Sequence, residues 1–99
     1  MKIVHNTLGI VASVALIVVL MITSVEIGAN VTSIGKEAFR NCKKLNIITI
    51  KSTKLELVGS NAFKNMKSDA EIRVPSKKLK AYKKLLKGKG QSKKVKITK

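Results

Sequence analysis

Apolar residues fall along this chain in three distinct patterns. Leu8 to Ile22 form an unbroken apolar and small-residue run, LGIVASVALIVVLMI. Beyond Thr23 they come in short pairs: Val25-x-Ile27, Ile48-x-Ile50, Ile72-x-Val74 and Val95-x-Ile97. Each pair is β-branched with one residue between its members, so both members point to one face of a short strand. After Pro75 the pattern changes again. Leu79, Tyr82, Leu85 and Leu86 stand at helical spacing among lysines, which predicts an amphipathic helix.

The paired positions begin 23, 24 and 23 residues apart. Between them lie two similar segments, GKEAFRNC and GSNAFKNM. A glycine, a polar residue and a few helix-tolerant residues predict a turn entering one or two helical turns. Setting Val31–Ile50 over Leu55–Val74 needs no gap. Gly35 then falls on Gly59, Ala38 on Ala62, Phe39 on Phe63, Asn41 on Asn65 and Lys43 on Lys67. Apolar positions match too: Ile34 with Val58, Cys42 with Met66, Ile48 with Ile72, and Ile50 with Val74.

One strand and one short helix per period near 23 is the arithmetic of a solenoid. A single unit cannot bury its own apolar face, so neighbours must share one core. That core is expected to hold Val25, Ile27, Ile34, Phe39, Leu45, Ile48, Ile50, Leu55, Val58, Phe63, Ile72 and Val74. The parallel strands would lie about 4.8 Å apart. Pro75 should stop the third strand, with Ser76 as N-cap of the terminal helix and Gly88 as its C′ residue. Such a helix, followed by the Val95 strand, is what the polar outer end of a stack requires.

The N-terminal run has a different character. Lys2 and His5 precede it, giving a short n-region before an apolar stretch. Its helical length is about 22 Å, below the roughly 30 Å of a bilayer core. No Ala-x-Ala site follows, and cleavage near Ala29 would remove the first strand. The first basic residue downstream is Lys36, so the positive-inside bias acts weakly here. An N-terminal hydrophobic helix is expected, as an uncleaved signal-anchor, a cleaved signal or a buried helix. The chain thus divides into 1–22, a signal or membrane-anchor segment; 23–75, the repeats; and 76–99, a basic cap of helix plus last strand.

At Val31, Thr32, Ser33, Ile34, Gly35, Ala38, Phe39, Cys42, Leu45, Ile48 and Ile50 the chain resembles the BspA-type leucine-rich repeat of bacterial surface proteins. The second unit keeps Gly59, Ala62 and Phe63 but has Met66 for the cysteine and Asp69 for the leucine. The resemblance covers Val25 to about Lys99. It implies an α/β fold: a short right-handed solenoid with a small parallel sheet and short helices. It also implies adhesion or ligand capture at a cell surface, with the protein membrane-anchored or secreted. Family members usually carry many repeats, so two units plus ends look like a C-terminal fragment.

Charge adds the question of partners. The formal net charge is +16 from 21 Lys and Arg against 5 Asp and Glu. Ser76 to Lys99 contains eleven lysines and no acid. Such a field attracts polyanions. Arg40 and Arg73 are the two arginines, and lysine suits diffuse attraction better than bidentate reading of bases. Three aromatics (Phe39, Phe63, Tyr82) are too few for a base-stacking platform. Nucleic acid is therefore the least favoured partner, behind a surface protein, a glycan or an anionic wall polymer, with the membrane met through residues 1–22.

Catalytic chemistry finds no foothold. Glu26, Glu37, Glu56, Asp69 and Glu71 occupy non-equivalent repeat positions and make no acid/base couple. His5 has no partner ligand nearby. Cys42 is the one cysteine and is expected in the core as a small hydrophobe. No metal-ligand cluster and no phosphate-cradling loop is present, so no cofactor and no enzymatic activity is expected. The residues between the paired core positions, Glu26, Thr49, Arg73 and Lys96, should form a ladder on the open face of the sheet. It runs from acidic to basic, which makes Thr49, Arg73 and Lys96 the candidate ligand-binding residues. A cationic polyanion- or membrane-binding small protein, or a non-functional fragment of a larger adhesin, is the alternative.

Overall fold

The computed structural model describes residues 2–5 and 22–99. Among them, β1 (Lys2–His5), β2 (Ser24–Ile27), β4 (Ile47–Ile50), β6 (Glu71–Arg73) and β7 (Lys96–Thr98) form one parallel sheet in that order. A second, two-stranded parallel sheet joins β3 (Ser33–Ile34) and β5 (Leu57–Val58). A 3₁₀ turn, Ser76–Lys78, leads into α1 (Leu79–Leu86). Each repeat thus lays one strand on the large sheet, crosses the core, and returns through a turn.

Alternation fixes which side of the large sheet faces inward. Along β2 and β4 the residues alternate half-buried and buried, as period-two side chains on a one-sided sheet must. Val25, Ile48 and Ile72 lie in register across β2, β4 and β6, and all three are buried. The twelve expected core residues are all buried. Phe39 and Phe63 stack with ring centroids 5.9 Å apart. Cys42 is buried as expected, and burial pushes its thiol up to about 11, so it stays neutral at ordinary pH.

The Ala-Phe segments are turns rather than short helices. Glu37, Asn41, Asn61 and Asn65 all have positive φ, between 55° and 66°. A left-handed residue at every fourth position interrupts any right-handed helix. The backbone N–H groups explain what is gained. Ala38, Arg40 and Cys42 donate within their own turn, to Gly35, Glu37 and Phe39. Glu37, Phe39 and Asn41 donate across to Ser60, Ala62 and Lys64 of the next repeat. A helix would consume both sets internally, whereas the turns spend half of them on stacking. Asn65 Nδ2 also donates to Asn41 Oδ1 at 3.0 Å.

Two further expectations change, and a third is not met within the described residues. Ser76 opens the 3₁₀ turn and caps nothing with its side chain. The last strand pairs Ile72 with Ile97, not with Val95, because the helix-containing unit spans two residues more than the Val95 pairing allows. An even slip keeps every side chain on its face, so the apolar pattern alone does not reveal it. The expected N-terminal hydrophobic helix lies outside the described residues. What is described at that end is β1, paired Lys2 to Ser24 through His5 to Ile27, and Ile22, which is buried in the core.

α1 closes the stack through one buried polar network. Tyr82 is buried; its hydroxyl donates to the Ser52 carbonyl at 2.8 Å and accepts the Leu55 N–H at 3.0 Å. Ser52 is itself fully buried, and its Oγ donates to the Val31 carbonyl at 2.6 Å. Tyr82→Phe strands one buried donor and one buried acceptor, which costs about 1–3 kcal/mol. The expected result is a lower urea midpoint with an unchanged slope; a loss under about 0.5 kcal/mol would mean that the hydroxyl does not hold the cap.

Candidate functional site

The open face of the large sheet carries the polar half of each alternation. Register places Glu26, Thr49, Arg73 and Thr98 in one row. A parallel row holds Ser24, Ile47, Glu71 and Lys96. The ladder expected from the sequence is therefore corrected at its last rung. Lys96 stands on the same face but beside Glu71, and Thr98 takes the place next to Arg73.

At the C-terminal ends of these strands the surface dips into an open depression of about 380 Å³. It is lined by Thr49, Ile50, Lys51, Arg73, Val74, Pro75 and Lys99. Two of the three candidates, Thr49 and Arg73, come together here, and Lys96 does not. The hydrogen bond from Val74 N–H to the Thr98 carbonyl, 2.7 Å long, brings the chain after β7 alongside Val74. Lys99 follows from that bond. Lys51 and Lys99 escaped sequence reasoning: Lys99 joins the site only once the two-residue slip of β7 is known.

Electrostatics at the groove are organised around Glu71. Its carboxylate accepts from Thr98 Oγ1 at 2.6 Å and from Arg73 Nη2 at 3.3 Å, and it stands in ion-pair contact with Arg73 Nε at 3.2 Å. The Thr98 hydrogen bond first, then Arg73, hold its carboxyl below the usual range. Glu71 therefore stays ionised and holds the half-exposed guanidinium on the sheet face by one hydrogen bond and an ion pair. Arg73 Nη1 forms no hydrogen bond within the described residues and remains available to a ligand. Lys51 makes a loose 3.8 Å ion pair with Glu26. Three cations thus face a groove whose floor is the apolar edge of Ile50, Val74 and Pro75. Such a site can hold a carboxylate, sulfate or phosphate against an apolar wall. No group of three His, Cys, Asp or Glu is placed to hold a metal among the described residues.

A stack of parallel strands and hydrogen-bonded turns with a polar open face is a repeat protein of the binding-scaffold kind. The family model described as the BspA type leucine rich repeat region (6 copies) matches residues 18–99, and the chain belongs to that family. Leucine-rich repeats of this family generally serve as protein-interaction or adhesion modules and are typically non-enzymatic. No curated protein and no solved structure matches the chain.

Proposed function

We propose that this chain is a non-catalytic, surface-displayed recognition module whose sheet groove holds an anionic group of a protein or glycan partner. The observation that carries the proposal is the convergence of Lys51, Arg73 and Lys99 on one depression, with Arg73 oriented by an ionised Glu71. Family membership supports adhesion as the setting, and surface association or secretion as the location. The apolar run from Leu8 up to the core residue Ile22 would supply export or anchorage, a part assigned from the sequence pattern alone. No helix among the described residues is long and apolar enough to cross a membrane.

The test is binding of the full chain to a sulfated glycan and to an acidic peptide. Arg73→Glu with Lys99→Glu is expected to lower affinity by at least about 10-fold, at 1.5 kcal/mol or more for a charge-assisted bond. Lys96→Glu, away from the groove, should change it by less than about 3-fold. Equal losses in the two variants would point to net charge rather than a site, and unchanged binding by the groove variant would overturn the proposal. Cleavage of the chain by external protease on intact source cells tests the surface location.

A further inference from the structure

A second basic surface lies on α1, away from the groove residues. The helix commits Tyr82 and Leu86 to the core, with Leu79 and Leu85 packed beside them. Its other side is exposed at Lys77, Lys80, Ala81, Lys83, Lys84 and Lys87. At about 100° per residue Lys80, Lys83 and Lys84 project within an arc of roughly 100°, and Lys77 in the 3₁₀ turn and Lys87 at the C-cap flank them. Among the described residues none of them enters an ion pair. No acidic residue occurs from Ser76 to Lys99. Lys77, Lys80 and Lys84 border a shallow depression with Ala81 between them.

We propose that this face of α1 docks on an anionic lipid surface, by electrostatics and without insertion of the helix. Three features select that partner. The lysines spread over a broad arc rather than along a narrow cleft, which suits a plane of charge. They are lysines without an arginine or an aromatic among them, so they offer diffuse attraction in place of bidentate or stacked recognition. The apolar side of the helix is already buried against the repeats, so it has nothing left to place in the acyl region. Each lysine close to an anionic leaflet contributes about 1 kcal/mol. Peripheral attachment of this kind must weaken with salt.

The experiment is sedimentation of the full chain with phosphatidylcholine vesicles, alone or with about one third phosphatidylserine, at low and high salt. Any contribution from residues 8–22 appears with both vesicle types and in every variant, so the difference between vesicles isolates the charged face. Lys77→Glu with Lys80→Glu and Lys84→Glu is expected to reduce partitioning onto the anionic vesicles by at least about 100-fold, with no change on neutral ones. An unchanged thermal melt shows that the cap still folds. A matched triple on the exposed repeat lysines, Lys43→Glu with Lys44→Glu and Lys64→Glu, should lose much less. Equal losses from the two triples would overturn the proposal in favour of net charge alone. Retained binding by the α1 triple would overturn it, and so would preference of the wild-type chain for a soluble phosphodiester polymer over anionic vesicles. The groove variant Arg73→Glu with Lys99→Glu leaves the α1 lysines in place, so failure of either proposal is read separately from the other.

Discussion

Gly59→Ala is expected to remove cooperative folding, while Gly35→Ala at the equivalent repeat position leaves the melt nearly unchanged. The two glycines look alike in the sequence and differ in what lies beside them. A Cβ on Gly59 would meet Lys36 N at 2.3 Å, Lys36 Cα at 2.4 Å and the Gly35 carbonyl carbon at 2.7 Å. All three are backbone atoms, so no rotamer change relieves them. A Cβ on Gly35 meets no atom within 4 Å among the described residues. Gly59 is where one repeat's turn comes down on the turn before it, and its N–H donates to the Ile34 carbonyl at 2.8 Å. Forcing the turns apart by a methyl group stretches the neighbouring bonds from Glu37 to Ser60 and from Phe39 to Ala62. Overpacking of side chains alone costs about 1–3 kcal/mol, and backbone contacts this short cannot be relieved more cheaply. A domain of this size has roughly 5 kcal/mol to lose. The measurement is a urea titration followed by far-ultraviolet circular dichroism on both variants. A Gly59→Ala chain that melts within about 1 kcal/mol of the parent would show that the repeats do not stack this closely.

That asymmetry marks the limit of what the amino-acid pattern carries. The β-branched pairs disclosed the strands because a period of two has one interpretation when both members are apolar. Ile34 with Val58 and the repeated Ala-Phe positions disclose the inner core through the recurrence of apolar residues at one fixed offset. The turns look helical in the sequence because Ala, Phe, Lys and Arg all tolerate a helix. The counter-signal was Asn41 over Asn65, since asparagine is the residue other than glycine that most readily takes positive φ. Glu37 gives no such hint, yet it adopts φ 58° where its N–H donates to the Ser60 carbonyl of the next repeat.

The candidate site was half legible for a related reason. Thr49 and Arg73 sit between core positions on adjacent strands, where spacing alone places them side by side. The pattern alone puts Lys96 in the same row because Val95-x-Ile97 imitates the earlier pairs. The true partner of Ile72 is Ile97, and the length of the helical cap decides that, not local pattern. Lys51 and Lys99 lie just past strand ends, where alternation no longer says which way a side chain faces. The roles of Glu71, Thr98, Ser52 and Tyr82 depend on hydrogen bonds between residues 25 or more positions apart in three of the four contacts that matter, Thr98 to Glu71, Tyr82 to Ser52 and Leu55 to Tyr82. A single sequence offers no signal for them.

Phe63→Ala should be the most damaging truncation in the core. Phe63 is fully buried and stacks on Phe39 at an interplanar angle of 4°. Its N–H donates upward to the Lys89 carbonyl at 3.0 Å, while Ala62 beside it accepts from Phe39 below. The ring therefore occupies the level at which the second repeat meets both the first and the cap. Removing it costs about 3–5 kcal/mol in transfer and cavity energy. Little relaxation is available, because the hydrogen bonds above and below fix the spacing of the layers. Phe39→Ala opens the same stack from one side and should fall at the lower end of that range. The double variant should lose about 1 kcal/mol less than the two single losses combined, since one ring contact is removed twice in the sum. Phe63→Leu keeps most of the apolar volume and should retain a cooperative transition. A Phe63→Ala chain that loses under about 1.5 kcal/mol would place the weight of the core elsewhere, in the β-branched rows of Val25, Ile48 and Ile72 rather than in the ring stack.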